Sequence, residues 1–304
     1  RKMNILLVAF AIGLLVPAVI IFMKENMNTK VRGRKDLENL SIPFIGEIPQ
    51  YLSAKKKLGF DKHTQSVMKA IVVKEGNRNI INEAFRVLRS NIDFMAGKDS
   101  GQNVFMLTSF NPGSGKSFLA MNIAMSFAIK KKRILVIDGD LRHGSTSSYV
   151  DSPKTGLSDY LGNRVSDWKE IIVKDEKYDN LHIIPIGTVP PNPTELLEDG
   201  KLATLIEVLR SEYDYIFIDC PPIDIVADAQ IIEKLADRTV FVVRSGLLDR
   251  SMLPELENIY QEKRFKNLSV ILNGTESAGG RYGYRYGYRN GYSSYYGNKG
   301  KMGG

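Results

Sequence analysis

The feature that most constrains the fold of this 304-residue chain is an alternation of short apolar runs with helical stretches between residues 104 and 273. The strand candidates, rich in Val, Ile, Leu and Phe, are 104–109, 133–138, 181–186, 214–219, 238–243 and 268–273. Helices are predicted over 115–130, 195–212, 228–236 and 250–263. Continuous apolar strands are typical of a sheet covered on both faces, and alternation with helices makes such a sheet mostly parallel. The sequence therefore predicts a doubly wound, mostly parallel α/β sheet whose ligand site lies at the carboxyl ends of its strands.

A glycine-rich segment, FNPGSGKS, follows the first predicted strand at residues 110–117. Glycines let backbone N–H groups close around phosphate oxygens, Lys116 adds a mobile positive charge, and Ser117 offers a hydroxyl to Mg²⁺. This pattern predicts a P-loop, although Phe110 stands where GxxxxGK[ST] has its first glycine, a departure that the sequence does not explain. The expected nucleotide contacts are Gly113, Ser114, Gly115, Lys116, Ser117 and Phe118.

Aspartates end two of the apolar runs. Asp138 and Asp140 close the second predicted strand in IDGDLR, and Asp219 closes the fourth in IFIDCPP. A carboxylate in this place, beside a P-loop, is the form in which NTPases hold Mg²⁺ through water. One such aspartate could cap a helix, but three at strand ends that face the P-loop favour a Mg·nucleotide site. The expected metal ligands are Ser117, Asp140 and Asp219.

An uncharged apolar run, ILLVAFAIGLLVPAVIIFM, occupies residues 5–23. At about 1.5 Å per residue its length matches a hydrocarbon core of about 30 Å. A cleaved signal peptide would have a shorter apolar region, and a buried core helix would carry a polar stripe. The run therefore predicts a transmembrane helix at 1–24, followed by a juxtamembrane connector at 25–78. Basic residues are more frequent after the run than before it, so we expect its C-terminal side to be cytoplasmic. Because the chain begins with Arg1 and not with methionine, we expect it to be part of a longer protein.

The net charge of +8 is concentrated at the two ends of the chain. Residues 1–38 contribute +4 and residues 281–304 contribute +5, which leaves about −1 for the body. The body is therefore a near-neutral globule, which disfavours a general nucleic-acid binder. The single cysteine, Cys220, excludes an intramolecular disulfide framework and a Cys-rich zinc site, and it is expected to be a small buried residue.

Residues 79–96 show helical periodicity, with Glu83, Arg86 and Arg89 spaced at three-residue intervals on one face. Spacing alone favours a solvated charged face with an intrahelical ion pair. The alternative is a helix that offers a carboxylate and two guanidinium groups to another subunit. Residues 79–276 are expected to form the globular domain.

The end of the chain, 277–304, is rich in glycine and tyrosine and has almost no aliphatic side chain, so we expect it to be disordered. Half of the chain's 14 tyrosines lie here: Tyr282, Tyr284, Tyr286, Tyr288, Tyr292, Tyr295 and Tyr296. Such a segment could be a contact surface, a binder of single-stranded nucleic acid or a set of phosphate acceptors. An ATP site on the same chain favours phosphate acceptors, and no nucleic-acid partner is expected.

Several of these motifs occur together in one known family. The chain resembles the cytoplasmic kinase part of the bacterial tyrosine kinases of the Wzc type (BY-kinases), which work in polysaccharide export. NPGSGKS resembles their Walker A motif, IDGDLR their Walker A′ motif and IFIDCPP their Walker B motif. Glu83-x-x-Arg86-x-x-Arg89 is similar to their oligomerisation motif, and PPNPTELL at 190–197 to a segment that they share. The MinD/ParA ATPases have the same scaffold but a signature lysine where this chain has Asn111.

The resemblance implies an ATP- and Mg²⁺-dependent protein-tyrosine autokinase in the bacterial inner membrane, with its kinase domain and tail in the cytoplasm. It implies Asp138 as the base that accepts the phenol proton, together with Lys116 and with Arg142, for which a structural salt bridge is the alternative. Asn273 is expected to contact the adenine, as in related ATPases. The implied partners are further copies in a ring-like homo-oligomer, the polysaccharide export and polymerisation machinery, and a tyrosine phosphatase. A MinD/ParA-like ATPase and a nucleotide-gated scaffold are the alternative functions.

Overall fold

The computed structural model describes Phe10 and residues 13–19, 22–23, 28–51, 70–97, 101–223 and 227–276. Within these ranges the strands are β1 (Phe44–Pro49), β2 (Val104–Thr108), β3 (Ile134–Asp138), β4 (Val173–Lys174), β5 (Leu181–Ile184), β6 (Tyr215–Asp219), β7 (Arg238–Arg244) and β8 (Ser269–Thr275). From residue 28 onward the α-helices are α1 (Ile80–Ala96), α2 (Lys116–Ala128), α3 (Leu157–Leu161), α4 (Pro193–Glu198), α5 (Lys201–Glu212), α6 (Asp228–Glu233) and α7 (Leu253–Gln261).

The strands form one sheet in the order β1-β8-β7-β2-β6-β3-β5-β4. All neighbouring pairs are parallel except β4 with β5. Each of the six runs predicted from sequence coincides with one strand to within two residues at its C-terminal end. The expectation of a mostly parallel α/β sheet is therefore confirmed, and its carboxyl edge carries the ends of β2, β3 and β6 side by side.

Helices cover both faces of the sheet, which is why the central strands are apolar up to their last residue. On one face α1 and α2 supply buried side chains such as Phe85, Leu88 and Leu119. On the other face α5, α6 and α7 supply residues such as Leu205 and Ile259. The strands β2, β3 and β6 are buried at every position. This two-sided burial holds their carboxyl ends, and the side chains found there, in fixed positions.

The segment that we predicted as a connector, 25–78, contains a β-strand near its centre. Phe44–Pro49 is an edge strand that pairs in parallel with β8. Its sequence does not signal a strand, because it contains Gly46 and ends in a proline, which only an edge strand accommodates easily. A side chain at Gly46 would meet Leu88 of α1 at 3.3 Å, so the glycine permits the close approach of this helix. Further upstream, Val31 exchanges backbone hydrogen bonds with Gly246 and Leu248 in the loop after β7.

The predicted helix at 195–212 is two helices, α4 and α5. The break falls at Gly200, whose φ of 81° is in the left-handed region and ends the helical path. The short elements α3 and β4 were not predicted from the sequence, because segments of two to five residues show too little periodicity.

Two predicted segments lie wholly or partly outside the described residues. Of the apolar run at 5–23, the described residues (10, 13–19 and 22–23) are helical and exposed. No helix among the described residues combines the length and apolarity needed to cross a membrane. The tyrosine-rich segment at 277–304, with all seven candidate acceptors, is outside the described ranges.

Candidate active site

The loop between β2 and α2 carries the predicted P-loop. α2 begins at Lys116, directly after Gly115, whose φ of 92° is left-handed. A Cβ at Gly115 would lie 2.2 Å from Nδ2 of Asn273, so only glycine fits. Helix α2 therefore directs the free N–H groups of its first turn toward the carboxyl edge of the sheet, where they favour an anion.

Two side chains from neighbouring strands hold the backbone of this loop. The amide of Asn273, on β8, donates to the carbonyl of Ser114 at 2.9 Å. Arg244, at the end of β7, donates from Nη1 to the carbonyl of Gly113 at 2.6 Å. Asn273 therefore supports the P-loop, and its predicted adenine contact stays a prediction. Sequence analysis missed Arg244, which ends the strand directly beside the P-loop strand.

Phe110 and Cys220 are both buried. The ring of Phe110 packs edge to face against Phe241, with centroids 4.9 Å apart. A large side chain fits at this P-loop position because it points into the core. Cys220 is buried as expected, and burial raises the pKa of its thiol well above the ordinary value, which disfavours a nucleophilic role.

Lys116 lies among groups of opposite charge. Burial lowers the pKa of its ammonium, while the carboxylates of Asp219 and Asp140 act in the opposite direction. Its Nζ donates to Oγ of Ser109 at 3.3 Å. The lysine is therefore a desolvated cation at the P-loop, suited to interact with a phosphate.

Asp219 receives two hydroxyl hydrogen bonds on a single carboxylate oxygen. Ser117 Oγ donates to its Oδ2 at 2.5 Å, and Thr146 Oγ1 donates to the same atom at 2.8 Å. Its Oδ1 is buried and has no hydrogen-bond partner among the described residues. Burial raises the pKa of Asp219, opposed by Lys116 and by the two hydroxyl groups. A buried carboxylate with one open oxygen beside a serine hydroxyl fits a divalent cation.

Asp138 repeats this arrangement on the adjacent strand. It is the register partner of Asp219, and its Oδ2 accepts from the backbone N–H and the hydroxyl of Ser147 at 2.6 and 2.7 Å. Its Oδ1 is also buried without a partner in the described part of the chain. Burial, followed by the nearby Asp219 carboxylate, raises the pKa of Asp138 to about 8. A carboxyl group with this pKa binds a proton more tightly than an ordinary aspartate does.

The side chains of Asp140 and Arg142, which follow β3, interact with different partners. Asp140 accepts from the backbone N–H of Arg142 at 3.2 Å and lies beside the ring of His143, 3.1 Å away. The guanidinium of Arg142 pairs with Asp228 on α6 and also contacts Thr194 on α4. The structural salt bridge that was one of the two interpretations of Arg142 is thus present, while its catalytic role remains a prediction.

The residues present fit a nucleotide with Mg²⁺. The helix start and Lys116 suit phosphates, and the open Oδ1 of Asp219, with the hydroxyl of Ser117, suits the cation. No cluster of three or more His, Cys, Asp or Glu in the described ranges could hold a metal ion by itself. A cation here would therefore also need oxygen ligands from water or phosphate, as Mg²⁺ commonly has.

The three charged residues predicted on one face of α1 have different partners. Glu83 and Arg86 form an intrahelical ion pair, and Arg86 also donates to the carbonyl of Asn77 at 2.8 Å. Arg89 turns inward and donates to the carbonyl of Ser126 on α2 at 2.8 Å. The intrahelical pair of the first interpretation thus exists, and the subunit contact of the second stays a prediction.

The sequence and the fold both match known proteins. A family model described as an AAA domain matches residues 102–247. The tyrosine-protein kinase YwqD of Bacillus subtilis is 34% identical over 210 residues, which cover 68% of this chain and 87% of that protein. A protein of Klebsiella pneumoniae described as a tyrosine-protein kinase in the cps region is 32% identical over 293 residues. That match covers 93% of this chain but 40% of the longer relative.

Among solved structures, the kinase domain of the Escherichia coli tyrosine kinase ETK is similar to this chain. The TM-score is 0.69 at 28% sequence identity, and the match covers 85% of this chain and 100% of that domain.

Proposed function

Because the chain belongs to the family of bacterial protein-tyrosine kinases, which are ATP-dependent transferases, we propose that it transfers the γ-phosphoryl group of ATP to tyrosines of its own C-terminal segment. The observation that carries this proposal is the pair Asp138 and Asp219, two buried carboxylates on adjacent strands, each with one open oxygen beside the P-loop. Asp219, beside the hydroxyl of Ser117, suits a metal ion. Asp138 suits a proton acceptor.

The residues of the site divide this work among them. The start of α2, with Lys116, binds the phosphates and neutralises charge on them. Ser117, Asp219 and Asp140 would hold Mg²⁺, which when bound polarises the phosphate oxygens. Oδ1 of Asp138 has no hydrogen-bond partner among the described residues, so this oxygen is left for the acceptor hydroxyl. Arg244 and Asn273 hold the backbone of the P-loop through hydrogen bonds to its carbonyl groups.

The acceptors are the seven tyrosines between 282 and 296. A phenol has a pKa of about 10, so about one in a thousand is ionised at pH 7. A base that takes the proton during transfer typically accelerates such a step by about 10²–10⁴-fold.

We place the transfer between subunits of a ring-like homo-oligomer that α1 helps to assemble. From Gly274 to Tyr295 the chain could extend over about 70 Å, and its typical reach as a flexible coil is about 25 Å. Either distance would let the tail cross a subunit boundary. Phosphorylation of the tail adds about −1.5 to −2 charges per site, which opposes its positive charge and favours separation of the subunits.

The cellular role follows from the apolar run and the family. Residues 5–23 are apolar enough to anchor the chain in the bacterial inner membrane, with the kinase domain on the cytoplasmic side. There the kinase would regulate the assembly and export of a surface polysaccharide through contacts with that machinery, and a tyrosine phosphatase would reverse the modification.

One assay tests the central claim. The purified full chain in detergent is incubated with Mg·ATP, and phosphotyrosine, its positions and free ADP are measured. We expect phosphotyrosine confined to Tyr282–Tyr296, and its loss when the chain is truncated after Gly280. Stoichiometric ADP without phosphotyrosine would contradict the proposal and support an ATPase that drives assembly.

A further inference from the structure

Two consecutive residues, Thr146 and Ser147, connect the two buried carboxylates of the site. Thr146 donates from Oγ1 to Asp219 Oδ2 at 2.8 Å. Ser147 donates from its backbone N–H and its hydroxyl to Asp138 Oδ2 at 2.6 and 2.7 Å. Both side chains are almost fully buried, and the turn that carries them follows β3 by eight residues or more. One turn of the chain thus contacts both aspartates, each on a single oxygen.

The hydroxyl of Ser147 is held in one orientation. Its Oγ accepts a hydrogen bond from the backbone N–H of Ile186 at 2.8 Å, just beyond the end of β5. A hydroxyl has one hydrogen to donate, and with the Ile186 N–H on its oxygen that hydrogen is directed at Asp138. The carboxylate of Asp138 is therefore fixed by a side chain that is itself fixed by the neighbouring strand connection.

The two oxygens of the Asp138 carboxylate differ, because both hydrogen-bond donors contact Oδ2. Rotation of the carboxyl group would break two hydrogen bonds, while Oδ1 stays buried without a partner among the described residues. Buried polar atoms without partners are uncommon in folded proteins, and a purely structural aspartate would be expected to use both oxygens. The arrangement leaves one defined oxygen available.

We propose that Ser147 is a positioning residue for phosphoryl transfer: it holds Oδ2 of Asp138 so that Oδ1 faces the acceptor phenol. The inference rests on the proposed function. In the step, the phenol O–H bond breaks and its proton moves to Oδ1. The phenol oxygen forms the new bond to the γ-phosphorus, and the bond from that phosphorus to the bridging oxygen breaks, with its electron pair leaving on ADP.

The test compares the full chain with the Ser147→Ala variant, which keeps the backbone donor and loses the hydroxyl. At saturating Mg·ATP we expect tail phosphorylation to fall by about tenfold or more. The KM for ATP, the affinity for Mg·ADP and the midpoint of thermal unfolding should stay close to those of the parent. A general disturbance of the site would instead weaken nucleotide binding together with turnover.

A second readout concerns the acceptor. Both proteins are produced with ordinary tyrosine and with fluorotyrosine, whose phenol loses its proton more readily. If Ser147 acts through the proton acceptor, the loss of phosphorylation rate caused by Ser147→Ala should be several-fold smaller when the tail contains fluorotyrosine. If the substitution only loosens the fold, the deficit should be the same with both tails.

Ser148→Ala is the matched control, because Ser148 lies on the same turn and donates only to the carbonyl of Ser145 at 2.6 Å. It should retain the rate of the parent. An unchanged rate in Ser147→Ala, or a deficit that is indifferent to the acceptor, would overturn the role of Ser147 alone. A parent chain that makes no phosphotyrosine would contradict the proposed function itself.

Discussion

The guanidinium of Arg142 forms an ion pair with the fully buried carboxylate of Asp228, with Nε 3.2 Å from Oδ2. Thr194 joins both, since its hydroxyl donates to Asp228 Oδ1 at 2.7 Å and accepts from Arg142 at 3.0 Å. The contact ties the end of β3 to the starts of α4 and α6. It thus draws together three segments that are far apart in the sequence.

Substitution of Arg142 should therefore lower stability. Arg142→Ala leaves Asp228 buried without its counter-charge, and we expect the free energy of unfolding to fall by about 1–2 kcal/mol. Chemical denaturation measures this, and the double variant with Asp228→Ala should lose less than the sum of the two single variants. Additive losses would show that the pair is not coupled, and a loss of turnover without loss of stability would favour a catalytic role.

Lys116→Met should abolish phosphotyrosine and leave the fold intact. The substitution removes the charge that faces the phosphates, while burial already lowers the pKa of this lysine, so a neutral side chain is tolerated. Phosphotyrosine detection and thermal unfolding are measured together. Lys130→Met, at an exposed lysine at the other end of α2, is the control and should behave as the parent. Normal labelling by Lys116→Met would refute the P-loop assignment.

Thr146→Val should raise the Mg²⁺ concentration needed for half-maximal activity by several-fold. The side chains have the same shape, but valine cannot donate to Asp219 Oδ2, which keeps only the bond from Ser117. A carboxylate with fewer donors is less well oriented toward a cation. The measurement is a Mg²⁺ titration at saturating ATP. If Thr146→Val needed the same Mg²⁺ concentration as the parent, the hydrogen bond from Ser117 alone would be enough to orient Asp219.

Replacement of Glu83, Arg86 and Arg89 by alanine should convert the oligomer into monomers and weaken autophosphorylation. The variant removes the exposed ion pair of α1 and the bond of Arg89 to Ser126. Light scattering on the full chain in detergent gives the mass. The control removes another surface ion pair, Glu255 with Arg264, and should stay oligomeric. An oligomer that survives the triple substitution with full activity would restore the interpretation of α1 as a solvated face.

Transfer between subunits should be visible in a mixture of two defective chains. One carries Lys116→Met and keeps its tail, and the other is active but truncated after Gly280. We expect phosphotyrosine on the first chain, because the tail is long enough to reach a neighbour. Mass spectrometry identifies which chain is labelled. An unlabelled tail in the mixture would argue for transfer within one subunit.

The parallel sheet was predictable because burial on both faces makes each strand a continuous apolar run. The same runs end in Asp138 and Asp219, so the carboxylates of the site could be placed at one edge before the structure was known. β1 was not predictable, since Gly46 and Pro49 weaken the signal of an edge strand that only tertiary pairing stabilises.

The contacts that support the site were harder to predict from the sequence. Ser147 and Thr146 follow β3 in a turn without periodicity, and Ile186 lies about forty residues further on. Arg244 reaches the P-loop from β7. Such contacts depend on the order of strands in the sheet, which neither motifs nor hydrophobic patterns specify. The inward orientation of Phe110 likewise becomes clear only from Phe241 beside it.

The pairing of β1 with β8 also decides where the chain can be cut. A fragment that begins at residue 79 would lack β1, and the N–H and C=O groups of β8 that face β1 would lose their partners. An uncovered edge of this kind is a template on which another chain can add a strand. Copies of such a fragment would associate through β8, which β1 covers in the intact chain. Oligomers of this fragment would result from the exposed edge of β8 and would say nothing about contacts made by α1. Fragments for assembly studies must therefore begin before Phe44.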